Sequence, residues 1–193
     1  MGKDLPISGE GEVARLKQEN AVLQAALADL HEKMAQLENQ TDRDPLTDLP
    51  NRRYFLDAMR RVIAHVDRHN LQAIAMFVDL TNLEDINDAH GRAAGDAAIM
   101  HVARLLHGHI RITDVAARIG GDAFGLLLDH IGGDDADRKA RALEALIAEN
   151  PLQHQGHIIR LSVAIGMTTL KGDDKGDDAL SRADVSSPET RQG

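Results

Sequence analysis

The stretch "VAARIGGDAFGLLL", residues 115–128, decides the fold because it predicts a β-hairpin. Two short apolar runs flank Gly120 and Gly121, and a glycine pair at such a junction favours a tight turn with positive φ angles. Working outward, "QAIAMFVDL" at 72–80 and "HIIRLSVAIGMTTL" at 157–170 predict two further strands, the second of them long. The hairpin and these two runs together indicate a sheet of four strands.

Helical periodicity accounts for most of the chain between the strands. Apolar residues recur at helical spacing in 52–70, in 95–110 and in 135–150. The last two of these helices alternate with the strands in the order β-α-β-β-α-β, which is a ferredoxin-like arrangement. The sequence therefore predicts an α+β domain in which an antiparallel sheet carries its helices on one face.

A heptad repeat precedes this domain and predicts a coiled coil. Its two core positions are occupied by Val13, Leu16, Asn20, Leu23, Leu27, Leu30, Met34 and Leu37. Leucine at every d position with a lone asparagine at an a position favours a parallel two-stranded coiled coil, because the buried amide pairs with its twin across the seam. We therefore expect a homodimer; the alternative is one amphipathic helix that packs on its own domain.

Four segments follow from these patterns. We expect a flexible N-terminus at 1–12, a coiled-coil dimerisation helix at 13–40, the α+β domain at 41–184 and a disordered tail at 185–193. The last stretch is polar and poor in large apolar residues, so a short helix near 179–184 is all that we expect to be ordered there.

Composition excludes several classes of protein. A formal net charge of −9 on 193 residues argues against a nucleic-acid-binding protein, which needs a basic face for phosphates. The absence of cysteine excludes disulfides and thiolate metal sites. No run of about 18 apolar residues and no signal pattern is present, so we expect a soluble, cytoplasmic protein without membrane contacts.

Four motifs in order carry a resemblance to a known family. They are "DPLTDLPNRR" (44–53), "DINDAHGRAAGD" (85–96), "RIGGDAF" (118–124) and "SVAIGMT" (162–168). This set resembles the GGDEF family of diguanylate cyclases, which join two GTP molecules into cyclic di-GMP. The resemblance runs from Asp44 to about residue 184, and it identifies the domain at 41–184 as a degenerate GGDEF domain with the signature GGDAF.

The resemblance implies roles for individual residues. Asp79, at the end of a predicted strand, and Asp122, in the hairpin, would hold the metal, Mg²⁺ if GTP is bound. Asn87 and Asp96 would read the guanine edge, since an amide and a carboxylate match its donors and acceptor. Two such domains would face each other during synthesis, so that catalysis is positioning plus charge neutralisation by divalent metals.

Several departures from the family pattern argue against turnover. Ala123 stands where the family has its second signature acid, Thr81 replaces a carboxylate, and Glu84 stands where a phosphate-contacting lysine is usual. The stretch "VSSPETRQG" follows "RAD", where the family has a helix with another phosphate-contacting lysine. Asp79, Asp122 and Ala123 are therefore interpreted as a vestigial active site without catalytic residues.

A second motif, "RITD", argues for binding rather than synthesis. It matches the R-x-x-D product-inhibition site of the family, in which Arg111 would bind a guanine edge and phosphate oxygens and Asp114 would accept guanine N–H groups. A second arginine completes that site in the family, and Arg138 or Arg141 are the candidates here. The alternative is that Arg111 and Asp114 form only a surface i,i+3 ion pair.

The sequence as a whole favours a non-catalytic, dimeric cyclic di-GMP receptor that requires no cofactor and acts on an unknown protein effector. One alternative is a weak or conditional diguanylate cyclase. Another is a GTP-binding regulatory module, or a scaffold that acts through protein contacts.

Overall fold

A computed structural model describes residues 15–27, 42–69, 72–172 and 174. The chain divides into two compact units, Met1–Thr41 and Asp42–Gly193. In the first unit, residues 15–27 form a helix, α1, whose Leu16, Leu23 and Leu27 are 53, 60 and 54% exposed. These leucines share one stripe of the helix, as a coiled-coil seam requires. The other predicted core positions at 13, 30, 34 and 37, and the tail at 185–193, lie outside the described residues, so the coiled coil remains a prediction.

The second unit contains four helices and six strands among its described residues. The helices are α2 (Arg52–His69), α3 (Leu83–His90), α4 (Arg92–Gly108) and α5 (Gly133–Glu149). The strands are β1 (Ala73–Leu80), β2 (Val115–Arg118), β3 (Ala123–Asp129), β4 (Leu152–His154), β5 (His157–Ile159) and β6 (Val163–Leu170). None of the described helices is long and apolar enough to cross a membrane.

The main sheet has the strand order β2-β3-β1-β6, and every neighbouring pair in it is antiparallel. This order is the ferredoxin-like one, so the predicted α+β fold is confirmed. The central strand β1 pairs with β3 on one side and with β6 on the other. Its position in the middle of the sheet explains its nearly continuous burial.

The predicted long strand at 157–170 is divided, and the side chain of Asn82 supplies the reason. Its amide donates to the Arg160 carbonyl at 2.9 Å, and its carbonyl oxygen accepts the Ser162 N–H at 3.1 Å. Backbone groups that a continuous strand would present to its neighbour are therefore bonded to a side chain. Before this point β5 pairs with β4, and after it β6 pairs with β1.

The sheet is covered on both faces, and the expectation of helices on one face is wrong. On one face Ile74, Met76 and Val78 belong to the main core cluster, together with residues of α3, α4 and α5. On the other face, Phe77 and the alanines of β1 pack with residues of α2 such as Phe55. The run "AIAMFV" in β1 is apolar without alternation, as is typical of a strand that is buried on both sides.

The hairpin between β2 and β3 is confirmed, but its turn is not the predicted one. Among the described glycines, positive φ angles occur at Gly91 and Gly156 and not at Gly120 or Gly121. The connection spans residues 119–122, and the N–H groups of Ile119 and Gly120 both donate to the Ala123 carbonyl, at 2.9 and 3.2 Å. Because the loop has four residues rather than two, a tight turn with left-handed glycines is not required.

Candidate functional site

The hairpin brings the predicted metal ligands to one end of the central strands. Asp79 and Ala123 are Cα partners in the β1–β3 ladder, and the neighbouring Asp122 accepts the Leu80 N–H on its carbonyl oxygen at 3.1 Å. Cross-strand partners project to the same face of a sheet, so a methyl group stands opposite the Asp79 carboxylate. Asp79 is half-buried and Asp122 is exposed.

The remaining donor set is small for a metal ion. Among the described residues, no group of three or more His, Cys, Asp or Glu side chains could hold one. Mg²⁺ is held by one or two carboxylates only when waters or phosphate oxygens complete its octahedral shell. The chemistry of Asp79 and Asp122 therefore fits a metal that arrives with a nucleotide, and it does not fit a resident metal.

Two further departures from the family pattern also have a structural explanation. The Thr81 hydroxyl donates to the Ser162 carbonyl at 3.0 Å, so this side chain ties the end of β1 to the segment before β6. Glu84 and Asp85 lie in the first turn of α3, where a negative charge is favoured by the helix dipole. The same charge at Glu84 would repel a phosphate group at this position.

The predicted guanine-reading residues Asn87 and Asp96 lie on the two helices that meet at the α3–α4 junction. A Cβ atom at Gly95 would collide with Asn87 Oδ1, so the Asn87 side chain rests on the backbone of α4 at the residue that precedes Asp96. The sharp turn between the helices is made by Gly91, whose φ is 82° and whose N–H donates to the Asn87 carbonyl at 2.8 Å. The absence of a side chain at Gly95 is what allows this approach.

Arg111 and Asp114 form a compact turn rather than an ion pair. One Asp114 carboxylate oxygen accepts the Arg111 backbone N–H at 2.9 Å, and the other accepts the Asp129 N–H at 3.3 Å. Within the described part of the chain, the Arg111 guanidinium makes neither a hydrogen bond nor an ion pair, and the residue is exposed. The carboxylate is thus fixed by the backbone while the cationic group faces outward, which differs from the i,i+3 ion pair considered as the alternative.

A cavity of about 380 Å³ lies beside this turn. Its lining residues are Arg43, Pro50, Tyr54, His107, Ile110, Arg111, Ile112, Asp114, Val115 and Ala116. The floor comes from β2, which is an edge strand of the sheet, and one wall comes from the loop before α2. The sequence did not indicate Arg43 or Tyr54 for this site, although these two residues directly flank the first family motif at 44–53.

The two arginines proposed from α5 lie elsewhere. Arg138 is ion-paired with Asp135 and lines a separate cavity with Gln72 and the residues at 132–135. Between the two arginines, the Lys139 ammonium donates to the His109 carbonyl, so that it is Lys139 that points toward the end of α4. Successive residues of a helix are rotated by about 100°, so Arg138 and Arg141 project in other directions, and neither lines the cavity at Arg111.

A partly buried ion pair fixes the segment before α2 against the hairpin. Arg118 Nη1 lies 3.2 Å from both Asp44 carboxylate oxygens, and Arg118 Nη2 donates to the Gly121 carbonyl at 2.6 Å. The two side chains are only 15 and 16% exposed. The Pro50 carbonyl also accepts the Arg118 N–H at 2.9 Å, so this segment is bonded to the last residue of the edge strand β2.

Comparisons with known proteins agree with this fold and with these motifs. The family model for the diguanylate cyclase GGDEF domain matches residues 41–192. The diguanylate cyclase TpbB of Pseudomonas aeruginosa is 33% identical over 170 residues, which are 86% of this chain. The chain spans 39% of the length of TpbB.

Solved structures show the same fold. The coiled coil and GGDEF domain of DgcB from Caulobacter crescentus, in complex with cyclic di-GMP, has a TM-score of 0.70 at 23% identity; the match covers 88% of this chain and 90% of that one. A microbial GGDEF domain studied for its interaction with bis-(3,5)-cyclic di-GMP has a TM-score of 0.66 at 25% identity, with 78% and 92% covered. The family model covers most of the chain, and this chain therefore belongs to the GGDEF domain family.

Proposed function

We propose that this GGDEF domain is a receptor for cyclic di-GMP that does not synthesise the dinucleotide. The observation that carries the proposal is the Arg111–Asp114 turn beside its cavity. The two backbone N–H groups leave each Asp114 oxygen with a further lone pair for a guanine N–H, since an ionised carboxylate has about four acceptor positions. The outward guanidinium of Arg111 has the planar fork that suits phosphate oxygens and the guanine edge.

The side chains at the end of β1 and in the β2–β3 hairpin support the proposal that this domain does not synthesise cyclic di-GMP. Phosphoryl transfer relies on metal ions that neutralise charge on the transferred group, and the acids that hold those ions are reduced here to Asp79 and Asp122. Glu84 adds a negative charge where the family pattern has a positive one. At a separation of about 5 Å and an effective dielectric constant of about 20, the repulsion between two unit negative charges costs roughly 3 kcal/mol before screening by salt.

In this proposal the N-terminal helices pair two domains, and the ligand alters how the pair engages an effector protein. The exposed leucines of α1 support the pairing, because they would otherwise place an apolar stripe in water. Fold-level support for the ligand comes from the microbial GGDEF domain studied with cyclic di-GMP. No cofactor is required for this role.

Calorimetric titration of the 193-residue protein with cyclic di-GMP tests the proposal. We expect binding at micromolar or tighter affinity in the wild type and no detectable binding by Arg111→Ala. Arg104→Ala, an exposed arginine on α4 that does not line the cavity, is the matched control and should bind like the wild type. Absence of heat in the wild type would refute the receptor role.

Incubation with GTP and Mg²⁺, followed by chromatography, separates this role from weak cyclase activity. We expect no cyclic di-GMP at high protein concentration. If the product accumulates, the domain is a conditional enzyme and the Arg111 cavity is its inhibitory site.

Binding of GTP as a regulatory ligand is a second candidate function, and the contact between Asn87 and Gly95 favours it. This contact holds an amide beside Asp96, and the pair offers the donors and acceptors that a guanine edge needs. Titration with GTP in the presence of Mg²⁺ is the test. An Asp96→Asn variant should bind GTP at least tenfold more weakly while cyclic di-GMP binding at Arg111 is unchanged.

A further inference from the structure

The rings of two histidines from distant parts of the chain lie against each other. His90 is the last residue of α3 and His157 is the first residue of β5; their ring centroids are 5.3 Å apart, and the ring planes are inclined by 46°. Two imidazoles bound to one tetrahedral Zn²⁺, with Zn–N bonds of about 2.0–2.1 Å, have their centroids roughly 5 Å apart. We propose that His90 and His157 together bind a divalent ion of the zinc, nickel and copper class, at a site that does not depend on cyclic di-GMP.

The backbone of α3 is anchored to the strand segment that carries the second histidine. Asn82, the residue before α3, bonds the Arg160 carbonyl and the Ser162 N–H through its side chain. Ile86 of α3 and Ile159 of β5 are 3 and 4% exposed and belong to one core cluster. Because these contacts hold the helix against the segment, the separation of the two rings is set by the fold and not by the ring contact alone. A site on packed elements of this kind is more precise than a site on free loops.

A tight turn fixes the backbone of His157 from the other side. The strands β4 and β5 are joined by Gln155 and Gly156, whose φ angles of 47 and 83° are both positive, as a type I′ hairpin turn requires. His154 is the Cα partner of His157 across this turn. Nevertheless, no third His, Cys, Asp or Glu side chain of the described residues completes a group with the two rings. Water must therefore fill the remaining positions around the ion.

The donor atoms decide which ions the site accepts. Imidazole nitrogen suits zinc, copper and nickel, whereas Mg²⁺ and Ca²⁺ take oxygen ligands. The proposed ion therefore differs from a Mg²⁺ that would arrive with a nucleotide at Asp79 and Asp122. Because the protein supplies two ligands in place of the four of a structural zinc site, we expect micromolar affinity. Cu²⁺ should bind more tightly than Zn²⁺ or Ni²⁺, as it does at nitrogen ligands in general.

The charges around His90 favour a cation. His90 lies in the last turn of α3, where the helix dipole stabilises positive charge. The same helix carries Glu84, Asp85 and Asp88 and no lysine or arginine, and the whole chain has a net charge of −9. The exposed Arg92, which follows on α4, offsets one of these charges. A negative surface raises the local concentration of cations, so the remaining balance favours binding.

Titration calorimetry of the full chain with ZnCl₂, in the absence of nucleotide, tests the site. The wild type should bind with micromolar affinity, and His90→Gln and His157→Gln should each bind at least tenfold more weakly, because each loses one of two ligands. His109→Gln is the control, since this exposed histidine follows α4 and its ring is bonded to the Leu105 carbonyl; its Zn²⁺ affinity should equal that of the wild type. Both proposed ligands are exposed, so circular dichroism should show that their variants are folded.

NMR spectra of the histidine rings distinguish this site from scattered binding to the other histidines. In the wild type, one equivalent of Zn²⁺ should shift the ring signals of His90 and His157 together, and the same amount of Mg²⁺ should shift neither. Each signal is assigned from the glutamine variant that lacks it. The inference is overturned if Zn²⁺ binds only at millimolar concentration, if either ligand variant keeps wild-type affinity, if His109→Gln loses as much affinity, or if the two rings respond at different Zn²⁺ concentrations. None of these results bears on the cyclic di-GMP receptor role.

Discussion

Asp79 and Ala123 are Cα partners in the β1–β3 ladder, so the half-buried carboxylate at the end of β1 stands opposite a methyl group. Because of this partnership, the side chain at position 123 decides how many carboxylates lie at this end of the sheet. An acid at position 123 would stand directly opposite Asp79 and beside Asp122. With alanine there, this end of the ladder has one carboxylate fewer, without any change to the strands.

The first prediction concerns restoration of that acid. Ala123→Glu should bind Mn²⁺ in the presence of GTP at least fivefold more tightly than the wild type, because a third carboxylate joins Asp79 and Asp122. Ala123→Gln adds the same bulk without the charge and should bind like the wild type. Equal Mn²⁺ affinity of the two variants in calorimetry would contradict the assignment of this end of the sheet as a metal site. Cyclic di-GMP synthesis should remain absent from both, since Glu84 and Thr81 are unchanged.

The second prediction concerns packing between α2 and the sheet. A Cβ at Gly125 would lie 2.6 Å from the Phe55 ring, which is fully buried and stacks edge-on against Phe77 at 5.9 Å between centroids. Gly125→Ala should therefore lower the free energy of unfolding by about 1–3 kcal/mol, as overpacking does. Gly121→Ala is the control, because nothing lies within 4 Å of its Cβ, and it should stay within about 0.5 kcal/mol. Urea denaturation distinguishes the two, and equal midpoints would refute the prediction.

The third prediction separates binding from stability at the α3–α4 junction. Gly95→Ala should displace the Asn87 side chain and lower GTP affinity at least tenfold, because the new Cβ would occupy the position of Asn87 Oδ1. The cost to folding should stay within about 1 kcal/mol, since alanine is favoured over glycine in a helix by a similar amount. Gly108→Ala, at the other end of α4 with nothing within 4 Å, should leave GTP affinity unchanged. Unaltered GTP binding by Gly95→Ala would show that Asn87 does not contact the base.

The fourth prediction concerns the Asp44–Arg118 ion pair. Asp44→Asn should destabilise the domain by about 1–3 kcal/mol, because it leaves the partly buried guanidinium without a counter-charge and weakens the bonds from Thr47 to the same carboxylate. Asp42→Asn removes the partner of Arg53 in a pair that is 44 and 60% exposed, and it should cost less than about 1 kcal/mol. Thermal unfolding measures the loss of stability in both variants. Comparable losses would mean that burial does not determine how much each ion pair contributes.

The fifth prediction tests the coiled coil. Asn20→Leu should raise the melting temperature and broaden the oligomeric distribution in sedimentation equilibrium, because a lone asparagine at an a position specifies the dimer at a cost in stability. Ala21→Leu adds an apolar side chain at the next position, away from the predicted seam, and should leave the dimer unaltered. A monomeric wild type would favour the alternative of a helix that packs on its own domain.

Sequence by itself determined the parts of this protein that depend on local pattern. Apolar runs on either side of a glycine pair located the hairpin at 115–128, apolar periodicity located α4 and α5, and Asn87 and Arg111 stand within motifs that resemble those of the family. These features can be predicted because the apolar repeat of a strand or helix is present within a few consecutive residues. The composition also excluded disulfides and a basic nucleic-acid surface.

Only the tertiary structure decided which distant residues meet. It placed Ala123 opposite Asp79, joined Arg43 to the Arg111 cavity, and divided the last predicted strand through the side chain of Asn82. It also placed α2 on the sheet face that the sequence had left uncovered. Such contacts depend on how whole elements pack, and local periodicity carries no information about them, because the same period is compatible with either face of a sheet and with many partners.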